Sequence, residues 1–107
     1  MIEISLVKEN GACLFRAKGH SGYASIGNDI VCASVTTLCY TLYESLELAE
    51  RNKKTKIISS SFEPGNIEII FTKETETVDV IKGVLKHLNS EYPEYIKLKV
   101  GWEKSEN

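Results

Sequence analysis

Eleven residues separate His20 from Cys32, in a glycine-rich stretch. An imidazole placed beside a thiol takes its proton and leaves a thiolate–imidazolium pair, the usual form of an activated cysteine nucleophile. Cys32 falls in the first turn of a long helical pattern. Unpaired amides and the positive end of the helix dipole favour the thiolate there. The intervening loop is long enough to bring the two side chains together. A bland reading stands beside this one. Cysteine is among the most buried residue types, and Cys32 also heads an apolar stripe. His20, in a loop with glycines nearby, is equally compatible with simple solvent exposure.

The neighbours carry the same double character. Asp29 suits the N-cap of the helix, accepting from amides near Val31 or Cys32. As a third catalytic member it would instead orient His20. Thr36 lies one turn after Cys32 and on its side of the helix, where a hydroxyl reaches His20 or a carbonyl four residues back. Ser21 can donate to a substrate carbonyl or merely meet water. Cys39, two turns further along the stripe, reads as core, and Cys13 as strand packing. His87 reads as a surface residue near the end of a second helix. Cys32 and Cys39 are separated by a rise of roughly 10 Å, too far for a disulfide.

Other chemistries find little support. No Cys-x-x-Cys or His-Glu-x-x-His spacing occurs, and His20, Cys32 and Asp29 make a poor three-ligand set. No metal or other cofactor is expected. The glycines are not followed by the Lys-Ser/Thr of a phosphate loop. The Lys53-Lys54-Thr55-Lys56 cluster reads as a solvated helix exit, too short for a nucleic-acid footprint.

The elements that must position these residues follow from periodicity. Ile2, Ile4 and Leu6 alternate with polar neighbours, Asn10-Gly11 is a hairpin turn, and Ala12 to Ala17 returns. Ala12, Leu14 and Arg16 fall on one face of that strand and Cys13, Phe15 and Ala17 on the other. Gly19 to Asp29 breaks all periodicity, and such loops are over-represented at functional sites. Val31, Val35, Leu38, Cys39, Leu42, Leu46 and Ala49 recur at three and four residues and predict a helix over 30–51. Lys56 to Ser61 and Asn66 to Thr72 read as strands joined at Pro64-Gly65. A second helix, capped by Thr75 or Thr77, spans roughly 76–90, with Val78, Ile81, Val84, Leu85 and Leu88 on its apolar face. Gly83 inside it costs about 1 kcal/mol relative to alanine, so close packing against the first helix is expected. Pro93 stops the helix, and Tyr95 to Trp102 alternates as a final strand. The order β-β-α-β-β-α-β predicts an α+β or α/β sandwich with two long helices and about five strands, in one domain over 1–107.

Composition agrees with a small globular domain. The chain has 107 residues, 42% hydrophobic and 26% charged, with a net charge of −2. That balance provides no charge-driven affinity for nucleic acid. The N-terminal stretch alternates and includes an acid, unlike a signal peptide. No run approaches the roughly 18 apolar residues of a membrane span. Three cysteines in no disulfide framework suggest a reduced, cytoplasmic setting.

Gly19-His20-Ser21-Gly22-Tyr23-Ala24, followed by Gly27-Asn28-Asp29-Ile30-Val31-Cys32-Ala33, closely resembles the signature of the ribosomal-processing cysteine proteases known as Prp. Element order and length match that family across nearly the whole chain. The resemblance implies a cysteine endopeptidase that removes the N-terminal extension of a large-subunit bacterial ribosomal protein, at a hydrophobic sequence with paired phenylalanines. It implies His20 as general base and Cys32 as nucleophile, with the Thr36 hydroxyl assisting, and it leaves Asp29 open between helix cap and catalytic helper. Thr36 stands where the family has a serine, so the hydroxyl is kept and a methyl added. Gly19, Ser21, Gly22, Tyr23 and Ala33 would meet the substrate, and amides at the start of the first helix would stabilise the oxyanion. A homodimer with a mobile loop over the site is also implied. Two other classes remain open: a ribosomal-protein-binding assembly factor without catalysis, which needs neither residue, and a redox-sensing thiol protein, which needs Cys32 more than His20.

Overall fold

The computed structural model describes residues 1–25 and 27–101. Seven elements follow one another: β1 (Ile2–Glu9), β2 (Ala12–Lys18), α1 (Ile30–Arg51), β3 (Ile57–Glu63), β4 (Asn66–Phe71), α2 (Glu76–Glu91) and β5 (Ile96–Val100). The strands form one sheet in the order β3-β4-β2-β1-β5. Every pairing is antiparallel except β1 with β5, where Ile2 stands opposite Ile96. The β-β-α-β-β-α-β order expected from periodicity is observed. The last strand ends at Val100 rather than Trp102, and Trp102 itself lies outside the described residues.

Register explains the layering. Ile4 opposes Ala17, Leu6 opposes Phe15, and Phe15 in turn opposes Ile69. Period-two alternation sends all of these to one face, where they are buried with Val35, Leu42 and Leu46 of α1 and Val78, Ile81 and Leu85 of α2 in a single core. Both helices therefore cover the same face, which makes a two-layer α+β sandwich. The other face carries half-buried Val7, Leu14 and Ile70, beside an Arg16–Glu68 ion pair across β2 and β4.

The helices begin where their caps dictate. The Thr75 side chain accepts from the Val78 amide and starts α2. Asn52 closes α1 with extended hydrogen bonding back to its last turn. Two details of α2 differ from expectation. Val84 is 39% exposed, because it lies at the edge of the apolar face rather than its centre. At Gly83 an added Cβ would meet nothing within 4 Å, so helix contact does not require this glycine. No described helix is long and apolar enough to cross a membrane.

Leu46 is fully buried between α1 and the sheet. Leu46→Ala is expected to lower unfolding free energy by about 2–5 kcal/mol, as for other truncations of buried leucines. Urea denaturation followed by circular dichroism measures this, and a change within experimental error would contradict the packing described.

Candidate active site

The segment from the end of β2 to the start of α1 is built from the backbone outward. At Gly19 the chain turns sharply with φ +101°. A Cβ there would lie 2.5 Å from the Met1 carbonyl oxygen, so only glycine fits. The Gly19 amide donates to the Gly65 carbonyl at 2.8 Å, and the Met1 amino group donates to the His20 carbonyl. His20 is thus flanked on its main chain by β1 and by the β3–β4 turn. Its side chain remains solvent-exposed.

Asp29 organises the remainder. One carboxylate oxygen accepts from the amides of Val31 (3.0 Å) and Cys32 (2.9 Å), which makes it the N-cap of α1. The other accepts from the Ser21 hydroxyl and, at 3.4 Å, from the Ala24 amide. Ser21 Oγ in turn accepts from the Tyr23 amide at 3.1 Å. Burial alone would raise the Asp29 carboxyl, but the bonds from Ser21, Cys32 and Ala24 outweigh it and hold the pKa down at about 2. Both oxygens are engaged with the loop and the helix start, so Asp29 is the N-cap of α1, and none of these bonds goes to His20. Ser21, expected to face substrate, is instead 3% exposed and directed inward, because its hydroxyl completes the Asp29 clamp.

Cys32 is half-buried in the first turn of α1. Its sulfur accepts from the Ser21 amide at 3.3 Å. The other two thiols are buried. Burial pushes the Cys39 pKa up to about 12 and also raises that of Cys13. The amides expected to stabilise an oxyanion have partners of their own at the start of α1. The amides of Val31 and Cys32 are taken by the Asp29 side chain and that of Ala33 by the Asp29 carbonyl. The amide directed at the sulfur belongs to Ser21 instead.

His20 and Cys32 line the same two cavities. The larger, about 590 Å³, is bounded by Gly22, Ala24 and Asp29 on the loop side and by Ala33, Thr36, Thr37 and Tyr40 on α1. The smaller, about 190 Å³, lies beneath, with Gly19, Thr36 and Gly65 in its wall. Ala33, Thr36, Thr37 and Tyr40 follow i, i+3, i+4, i+7 spacing and form a second stripe beside the buried one. Thr37 donates its hydroxyl to the Ala33 carbonyl at 2.9 Å, which leaves its methyl as the surface offered to a ligand. Tyr40 stacks on Phe62 of β3 with ring centroids 5.0 Å apart. Thr37 and Tyr40 were not singled out from sequence; the stripe of small residues ending in an aromatic, flanking Cys32, was the available signal. Tyr23 proves to be an anchor outside that cavity wall. Its ring meets Tyr92 and Tyr95 edge-to-face at 5.9 and 5.3 Å and seats the loop on the α2–β5 junction. Among the described residues no three His, Cys, Asp or Glu side chains are grouped to hold a metal.

A half-buried thiol on a helix N-terminus, sharing a cavity with an exposed imidazole, is the arrangement of a cysteine hydrolase. The family profile described as Cysteine protease Prp matches residues 1–97, and the chain belongs to that family. Among solved structures it is similar to an essential ribosomal processing protease Prp from S. aureus in complex with a covalently linked product peptide. That similarity has 21% identity and a TM-score of 0.67, and it covers 94% of this chain and 99% of that one. The S. aureus protease in complex with a substrate peptide gives 20% identity and 0.58 over the same shares. SMU.848 from Streptococcus mutans gives 26% identity and 0.66, covering 94% of each chain. No curated protein matches the chain.

Two outcomes follow from these groups. At pH 7.5, iodoacetamide should label Cys32 well before Cys13 and Cys39, which become reactive only on unfolding; peptide mapping by mass spectrometry reads this directly. Asp29 titrates near 3.8 when unconstrained and near 2 in the fold. Its contribution is therefore fully present above about pH 4 and lost as pH falls towards 2. Asp29→Asn should flatten the decline of stability across that window, and an unchanged acid limb would contradict the clamp.

Proposed function

We propose that this cysteine protease is a His20–Cys32 dyad enzyme that removes the N-terminal extension of a large-subunit ribosomal protein. The observation that carries the reading is the shared cavity of His20 and Cys32 at the start of α1. Membership of the Prp family supports it, as does the ribosomal processing role named for the S. aureus relative.

In this mechanism His20 holds the thiol proton and Cys32 sulfur attacks the scissile carbonyl. The Ser21 N–H, already aimed at the sulfur, is placed to meet the oxygen of the tetrahedral intermediate. Imidazolium then gives its proton to the leaving amine, and water, activated by the same ring, hydrolyses the thioester. Thr36 lines both cavities with His20 and Cys32. A hydrophobic extension suits the cavity, since Ala24, Ala33, the Thr37 methyl and the Tyr40 ring offer it mostly apolar surface. The loop from Gly19 to Asn28 would move when peptide enters, hinged between its Gly19 and Asp29 ties. We further propose a cytoplasmic homodimer as the working form.

Incubation with a peptide carrying the extended N-terminus, followed by mass measurement, tests the assignment. Wild-type protein should cut once. Cys32→Ser should bind without cutting, because a serine hydroxyl is not ionised near neutral pH. His20→Ala should lose about 10²–10⁴-fold in turnover. Undiminished hydrolysis by Cys32→Ser protein would eliminate Cys32 as the nucleophile, whereas binding without cutting by the wild-type protein would favour a binding role. Tyr40→Ala should raise KM for the hydrophobic peptide with kcat largely retained, whereas a pure kcat effect would remove Tyr40 from the binding wall.

A further inference from the structure

The imidazole of His20 rests on Gly65, in the turn between β3 and β4. A Cβ built at Gly65 would lie 2.8 Å from His20 Nε2, 3.2 Å from Cε1 and 3.5 Å from Cδ2. The Nε2 edge of the ring therefore occupies the space that any side chain at 65 would fill. The same turn also fixes the main chain before His20, since the Gly65 carbonyl accepts from the Gly19 amide at 2.8 Å. Gly65, His20 and Cys32 all line the smaller cavity.

We propose that Gly65 is a positioning residue for catalysis, resting on the assignment of His20 as the base: its missing side chain is the berth that sets where the imidazole stands relative to Cys32. Two reasons for glycine coincide here. Its φ of +72° favours glycine in the turn, and the ring contact excludes a Cβ. The second reason acts on chemistry more than on folding. The atoms in the way are the far end of a rotatable side chain, so the fold yields cheaply by swinging the ring out. A base displaced by about an ångström costs on the order of 10²-fold in rate.

The two reasons separate experimentally. Gly11, in the β1–β2 turn, has a similar φ of +78°, and a Cβ there meets nothing within 4 Å. Asparagine tolerates this backbone region, so Gly65→Asn and Gly11→Asn impose comparable backbone demands, and only the first fills the berth. Gly65→Asn is expected to lower kcat on the extended peptide about 10–100-fold with KM little changed. It should also shift the His20 titration followed by histidine NMR and the pH profile of Cys32 alkylation. Gly11→Asn should leave all three near wild type, and both variants should keep a cooperative thermal transition. Wild-type or raised kcat together with an unmoved His20 titration in Gly65→Asn would overturn the proposal, as would equal losses in the two variants. If Gly65→Asn fails to fold, Gly65→Ala read by the His20 titration serves in its place with the same criteria. His20→Ala cleaving at the wild-type rate would instead refute the dyad itself, which keeps the two failures distinct.

Discussion

The carboxylate of Asp29 joins the start of a helix to the loop that leads into it. Val31 and Cys32 bring amides to one oxygen, and Ser21 and Ala24 bring donors to the other. A cap alone would order only the helix. A carboxylate with several acceptor sites also fixes the residue next to His20. Ser21 then presents its amide to the Cys32 sulfur. One buried anion, whose bonds keep it charged, therefore ties the residue after His20 to the helix that bears Cys32.

Around the thiol, the Asp29 carboxylate lies within hydrogen-bonding reach of Cys32 and the Ser21 N–H donates to the sulfur. The start of α1 adds the positive end of its dipole. Among the described residues lining the two cavities it shares with Cys32, His20 is the only one whose side chain can carry a positive charge. The proposed dyad therefore has a single candidate for its cationic partner.

Much of this was legible in the sequence because it rests on local signals. The hairpin at Asn10-Gly11, the stripe from Val31 to Ala49 and the Thr75 cap appear where periodicity and capping rules put them. The loop signature brought out His20, Cys32 and Asp29. What stayed hidden depends on long-range contact. Nothing near Ser21 in sequence indicates that its hydroxyl turns inward, since that follows from Asp29 folding back over it. The seat of Tyr23 is formed by Tyr92 and Tyr95, about seventy residues away. Pro64-Gly65 reads as an ordinary turn until the sheet order brings β4 beside β2. Gly83 shows the opposite failure, a helix glycine at which an added Cβ would meet nothing among the described residues.

The parallel pairing of β1 with β5 bears on how the enzyme is born. Ile2 meets Ile96, so the sheet is completed only after nearly the whole chain has been drawn into a loop. Closing it costs about 2 kcal/mol more entropy than closing a hairpin of a dozen residues, and pairings of such long separation tend to form late. The segment that precedes β5 contains Tyr92 and Tyr95, the rings on which the loop between β2 and α1 is seated. A nascent chain still emerging from the ribosome has α1 and its cysteine but not that seat. The loop that bears His20 thus gains its aromatic seat only when the segment leading into the last strand has folded against it.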